Sequence, residues 1–67
     1  MTKYPTFRTE VSPSLGVRVH FGWIVPVSGT YQEFVPVRTR DYRTGKQAYD
    51  AGDAWVAAQE RAMGVAQ

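Results

Sequence analysis

The sequence predicts an α+β fold: a three-stranded antiparallel sheet, in the order 1-2-3, packed on one C-terminal helix in the succession β-β-β-α. Three observations predict it. Apolar and polar residues alternate through three successive runs, as side chains do on the two faces of a strand. Clusters of Ser, Pro, Gly and Thr separate the runs and supply turn chemistry. The last third changes period, with alanines and a tryptophan recurring at helical spacing.

Residues 1–5 read as a loose arm, and the sheet is expected over 6–41. The first strand, about Thr6 to Val11, sets Phe7, Thr9 and Val11 against Arg8 and Glu10. Ser12-Pro13-Ser14-Leu15-Gly16 turns the chain, with Gly16 available for a positive φ. The second strand carries the clearest pattern. Val17, Val19, Phe21, Trp23, Val25 and Val27 form an unbroken apolar row, and Arg18, His20, Gly22, Ile24 and Pro26 lie between them.

A third strand, about Tyr31 to Thr39, follows Ser28-Gly29-Thr30. A two-residue turn would set Trp23 opposite Phe34 and Val19 opposite Arg38, mixing charge into the core row. A three-residue turn sets Val27 opposite Tyr31, Trp23 opposite Val35 and Phe21 opposite Val37, which keeps that row apolar. The first turn pairs Val11 with Val17 and Phe7 with Phe21 by the same logic. On the outer face this register predicts the rows Arg8–His20–Arg38 and Glu10–Arg18–Arg40, with Ile24 opposite Phe34 at the far end. Pro36 cannot donate to a ladder, so the third strand is an edge. Gly22 opposite Pro36 leaves a gap between the basic and apolar halves.

The helix is expected over 44–63. Thr44-Gly45-Lys46-Gln47 fits a capping box. Ala48, Ala51, Trp55, Ala58 and Ala62 form its apolar stripe, and Gly64 stops it. Gly52 in the interior costs about 1 kcal/mol relative to Ala, which points to close packing against the sheet.

Sixty-seven residues make a single small domain, with no internal repeat or linker. A chain this short buries only ~60 % of its unfolded surface. There are no cysteines, so neither disulfides nor a Cys/His zinc site can staple it. No stretch approaches the ~20 apolar residues of a membrane span, and the expected location is the cytoplasm, that of the host cell if the chain is phage-encoded. The formal net charge of +2 is unevenly spread: residues 1–46 carry seven Lys/Arg against three Asp/Glu, and residues 47–67 one Arg against three acids. A basic sheet before a slightly acidic helix points to an anionic partner on the sheet side.

No catalytic constellation is visible, and an enzyme is not expected. His20 is the only imidazole; with Arg8 and Arg38 expected beside it, it reads as a surface residue whose protonated form those charges disfavour. Asp50 and Asp53 stand at i and i+3 without further oxygen ligands, and read as acids favouring the helix dipole. The four tyrosines lack the preorganised cluster a nucleophile needs. Neither a cofactor, a metal nor a small-molecule substrate is expected. The functional lead is the outer sheet face, with Arg8, Arg18, His20, Arg38 and Arg40 as a basic field, Arg43 and Lys46 just beyond at the helix N-terminus, and Ile24 with Phe34 as an apolar end. Arginine suits bidentate phosphate or base contact, and a sheet can enter the DNA major groove.

The chain resembles the arm-type, AP2-like DNA-binding domain at the N-terminus of phage tyrosine integrases. The resemblance is carried by Tyr31-Gln32-Glu33-Phe34 in the last strand, Thr44-Gly45-Lys46-Gln47-Ala48 at the helix start, and Trp55. It spans roughly residues 6–62. It implies a DNA-reading sheet face falling on Arg18, His20, Arg38 and Arg40. In that family the domain is an appendage on a recombinase, whereas this chain is expected to act alone, as a small phage or mobile-element DNA-binding regulator, monomeric or weakly dimeric. The alternative is a stoichiometric inhibitor docking on a host protein or nucleoprotein complex, like an anti-CRISPR protein, with Ile24 and Phe34 as anchors.

Overall fold

The computed structural model describes residues 3–64. Its elements are β1 (Tyr4–Val11), β2 (Val17–Pro26), β3 (Gln32–Tyr42) and α1 (Gly45–Ala62). The sheet is antiparallel in the order β1-β2-β3, and α1 packs on one face of it, chiefly across β1 and β2. Residues 1–2 of the expected arm lie outside the described residues, while Tyr4 and Pro5 already belong to β1, with Pro5 buried beside Trp23.

Both turns close as their chemistry requires. Val27 N–H donates to the Tyr31 carbonyl at 2.9 Å, which fixes the three-residue connection. At the other end Ser12 N–H donates to the Gly16 carbonyl at 3.0 Å, and Val11 pairs with Val17. The positive φ of that turn falls on Leu15 (70°), not on Gly16.

The pairing of β2 with β3 is regular from Pro26–Gln32 through Trp23–Val35 and Ile24–Phe34 to Gly22–Pro36. There it slips by one residue. Phe21 pairs with Arg38, His20 with Thr39, Val19 with Arg40, Arg18 with Asp41 and Val17 with Tyr42. Val37 is the extra residue of a β-bulge. The expected pairs Phe21–Val37, His20–Arg38 and Arg18–Arg40 are therefore not formed. The slip follows directly on Pro36, which lies opposite Gly22 at a non-hydrogen-bonded position with its ring nitrogen toward the free edge; edge strands and bulges are where a sheet tolerates proline. Gly22 completes the device, because a Cβ there would sit 2.8 Å from Pro36 Cα and closer still to the Val35 carbonyl.

The core is small. Val19, Phe21 and Ala48 are buried, and Phe7, Val17, Tyr42, Ala51 and Trp55 pack against them. Gly52 lies flat on the Phe7 ring, where an added Cβ would come within 2.5 Å; this close approach explains a glycine in mid-helix. Trp55 anchors the helix through ring contacts with Phe21 (5.6 Å) and Trp23 (6.0 Å). At the helix start the Thr44 hydroxyl accepts from Gln47 N–H at 3.2 Å. The Gln47 side chain reaches back to Arg43 N–H, one residue further than a strict capping box. Gly64 ends the helix with a φ of 76°.

Because Val37 is the surplus residue, deleting it leaves every other pair of the sheet in place. The expected melting temperature of that variant is within about 5 °C of the parent, the shift that ~1 kcal/mol gives in a domain this small. Deleting Thr9 from β1, which pairs without irregularity, turns Phe7 out of the core and should abolish a cooperative melt. Thermal denaturation followed by circular dichroism compares the two.

Candidate nucleic-acid interface

The outer face of the sheet is built in rows: Tyr4–Ile24–Phe34, Thr6–Gly22–Pro36, Arg8–His20–Thr39 and Glu10–Arg18–Asp41. The bulge decides their chemistry. It brings Thr39 and Asp41 onto this face, where Arg38 and Arg40 are predicted from the sequence, and carries the two arginines to the helix side, opposite Phe21 and Val19. The placement of Arg38 and Arg40 on the outer face is thus corrected: one inserted residue inverts the parity of everything after it.

The result is a neutralised surface. Arg18 holds Asp41 in a two-point contact, Nε to Oδ1 at 2.7 Å and Nη2 to Oδ2 at 3.1 Å. The buried Ser12 hydroxyl donates to the same carboxylate at 3.2 Å. The hydrogen bond from Arg18, its charge and the Ser12 hydroxyl together hold the Asp41 carboxyl below its ordinary value against a smaller opposing effect of desolvation. His20 spans all three strands, with Nε2 2.8 Å from Glu10 Oε2 and Nδ1 3.0 Å from Thr39 Oγ1. Its expected setting between two arginines is corrected as well: Arg8 is beside it, but Arg38 is replaced by a hydroxyl, and a carboxylate caps the ring. Two arginines, Arg8 and Arg18, face two carboxylates on this face. Arg8 reaches past the Gly22 row and stacks on the Phe34 ring at 4.5 Å. Ile24 lies directly opposite Phe34, as expected.

The helix-side cations differ among themselves. Lys46 is tied to Asp50 one turn on, at 2.7 Å, and Asp50 sits in the second turn, since the first holds no acid. Arg38, Arg40 and Arg43 are exposed and have no carboxylate within ion-pair distance among the described residues. Because α1 leans over β1 and β2, it leaves their side of β3 open. Arg40, Tyr42, Arg43 and Gln47 line a shallow open groove where β3 meets the helix, together with Asp41 and Asp50, whose charges are already matched by Arg18 and Lys46.

Arg8, Arg18, His20, Ile24 and Phe34 therefore share the outer face, while Arg38, Arg40, Arg43 and Lys46 do not join them. Ser12, Thr39 and Asp41, which position Arg18 and His20, were not among the residues the sequence singled out. The signal that could have found the last two is Pro36 opposite Gly22. Among the described residues no group of three or more His, Cys, Asp or Glu side chains could hold a metal ion, and no helix is long and apolar enough to cross a membrane. Comparison with protein-family models, curated proteins and solved structures finds no match.

A carboxyl whose folded pKa is depressed adds stability that is present above its unfolded value, about 4, and is lost as pH falls through the folded value. The melting temperature of the parent should thus exceed that of Asp41→Asn near pH 7, and the gap should close as the pH is lowered progressively below about 4. Melts across this range check it; a gap independent of pH contradicts the role given to Asp41.

Proposed function

We propose that this protein is a non-catalytic binding module for nucleic acid, duplex DNA in the first place, that grips phosphates with arginines in and just after the C-terminal half of β3. One observation carries the reading. Among the described residues, Arg38, Arg40 and Arg43 stand without an acidic partner on one short stretch of chain, whereas Arg18, His20 and Lys46 are matched internally. A guanidinium left free on a rigid strand presents a planar fork suited to phosphate oxygens. Arg40 and Arg43 flank an open groove beside the start of α1, where backbone dipoles add to the positive field. The outer face adds a second contact surface of different character. The two-point contact with Asp41 engages Nε and Nη2 of Arg18 and leaves Nη1 donors for a base edge. The β-β-β-α order is also the one implied by the resemblance to AP2-like arm domains of phage integrases, which supports a sheet used on DNA.

A second reading rests on its own observation. The charged end of the outer face is internally matched, and its hairpin end carries the apolar row Tyr4, Ile24 and Phe34 with Arg8 across it. An aromatic beside an arginine is common at the centre of protein interfaces, and on this reading the chain is a stoichiometric inhibitor of a protein complex.

Fluorescence anisotropy of a labelled mixed-sequence duplex, titrated at low and at physiological salt, separates the two. The nucleic-acid reading expects saturable binding whose log–log salt slope falls by about 2 in Arg40→Glu/Arg43→Glu, one for each phosphate no longer gripped. Flat titrations at low salt overturn it. Binding that survives the double substitution unchanged overturns the assignment of the phosphate grip to these arginines.

A further inference from the structure

The two edges of the sheet differ. On β3, Pro36 and the surplus Val37 interrupt the edge and deny a second chain a regular ladder. β1 pairs with β2 without irregularity from Tyr4 to Val11, and no strand lies on its other side among the described residues. The direction of its backbone groups follows from the first turn. Ser12 N–H donates to the Gly16 carbonyl, and bonded and non-bonded pairs alternate along an antiparallel ladder. Thr6, Arg8 and Glu10 therefore bond to β2, while Phe7, Thr9 and Val11 turn their N–H and C=O groups to the free edge. None of these outward groups has a backbone partner among the described residues. Beside them Val11 is 80 % exposed, and Tyr49, which leans on Phe7 from α1, is 54 % exposed.

We infer that this edge pairs with β1 of a second copy, antiparallel, about a two-fold axis at Thr9, joining the two three-stranded sheets into one. The residues of the edge select that axis. At Arg8 or at Glu10 it would set like charges against each other, and at Phe7 it would leave Arg8 facing Thr6. At Thr9 it sets Arg8 of each copy against Glu10 of the other, Thr9 against Thr9, and Phe7 against Val11. An isologous contact requires a patch complementary to itself, and opposite charges directly across a ladder stabilise it as like charges weaken it. Each outward N–H then meets an outward carbonyl. Pro5 and Pro13, which have no N–H, bound the ladder at its ends. Glu10 holds His20 through Oε2 and has Oε1 for the incoming arginine. Arg8, which has no ion pair among the described residues, leaves the Phe34 ring to make one.

The helices allow this arrangement. The axis is normal to the sheet, so the two copies of α1 lie antiparallel on the same face. Gly52 rests on Phe7 of β1 and Trp55 on Phe21 and Trp23 of β2, which sets α1 above the seam between these strands. With strands ~4.8 Å apart, the two helices stand roughly 10 Å from each other, the spacing of packed helices. Val11 of each copy, set opposite Phe7 of the other, comes under the second copy's Tyr49 and loses its exposure. One short ladder falls below the ~800 Å² per partner of a standard stable interface, so the dimer is a weak one. Arg38, Arg40 and Arg43 lie on or just beyond β3, outside the contact, and the dimer goes beyond the nucleic-acid reading without needing it.

Sedimentation equilibrium of the full chain, without nucleic acid, over ~5 µM to ~1 mM spans the affinities of weak complexes and tests it. The wild type should rise with concentration from the monomer mass of 7.5 kDa toward twice that value. Arg8→Glu alone and Glu10→Arg alone, both at exposed positions, should each stay monomeric with an unchanged circular dichroism spectrum. An equimolar mixture of the two should recover the dimer, since every facing pair is then of opposite sign. Amide exchange of the isotopically labelled wild type locates the contact without any substitution. Exchange at Phe7, Thr9 and Val11 should slow as the concentration rises, whereas Thr6, Arg8 and Glu10 stay protected throughout. A wild type that is monomeric at the highest concentration overturns the inference, as does a mixture that fails to recover. Protection that appears at Thr39 and Asp41 on the other edge, in place of Phe7, Thr9 and Val11, overturns it too. These outcomes leave the DNA titrations untouched, so failure here and failure of the nucleic-acid reading are told apart.

Discussion

A strand can keep its alternation of faces only while each residue on it has one partner, and in β3 that condition ends at Pro36. Val37 is left over beside it, and Gly22 on the neighbouring strand lets the two backbones close around the irregularity. Everything C-terminal to it on β3 changes sides. Thr39 and Asp41 come to the outer face, where they engage His20 and Arg18. Arg38 and Arg40 go to the helix side, opposite Phe21 and Val19. One surplus residue thus converts an expected basic field into a neutral hydrogen-bonded surface and concentrates the uncompensated charge elsewhere.

The second constraint is size. The buried side chains number few, and the domain compensates by bringing the helix very close to the sheet, with Ala48 buried and Gly52 resting on Phe7. Close approach at β1 and β2 leaves one helix unable to span the whole sheet. Trp55 extends the cover to Phe21 and Trp23, but Val35 and Val37 remain in the open. The free arginines, the groove beside them and the exposed valines all follow from the same geometry, a narrow cover laid to one side. The nucleic-acid proposal concerns what occupies the side left bare.

Much of the fold was legible because turn chemistry fixes register locally. Ser28-Gly29-Thr30 set Val27 by Tyr31, and Ser12 to Gly16 set Val11 by Val17, and with those two anchors the faces of β1, of β2 and of the first half of β3 follow. The helix was legible from Thr44 and Gln47 at one end and Gly64 at the other. The site was legible only on one side of Pro36. Arg8, Arg18, His20, Ile24 and Phe34 lie where alternation puts them, whereas Arg38 and Arg40 do not. A period-2 pattern carries no mark of an insertion when the residues around it, Val37-Arg38-Thr39-Arg40-Asp41, alternate plausibly in either phase. Nor does a pattern reveal pairing between charges far apart in sequence, such as Arg18 with Asp41, until the register is known. Proline opposite glycine was the clue, and it concerns the backbone, whereas alternation of faces concerns side chains.

Both the neutral outer face and the free arginines depend on the phase of the second half of β3. A nuclear Overhauser experiment on the isotopically labelled protein reads that phase directly. The bulged pairing predicts contacts from the His20 ring to the Thr39 methyl group and from Arg18 to Asp41, with Phe21 facing Arg38. Contacts from His20 to Arg38 and from Phe21 to Val37 would mean a regular ladder. They would return the arginines to the outer face and contradict the bulge on which both surfaces rest.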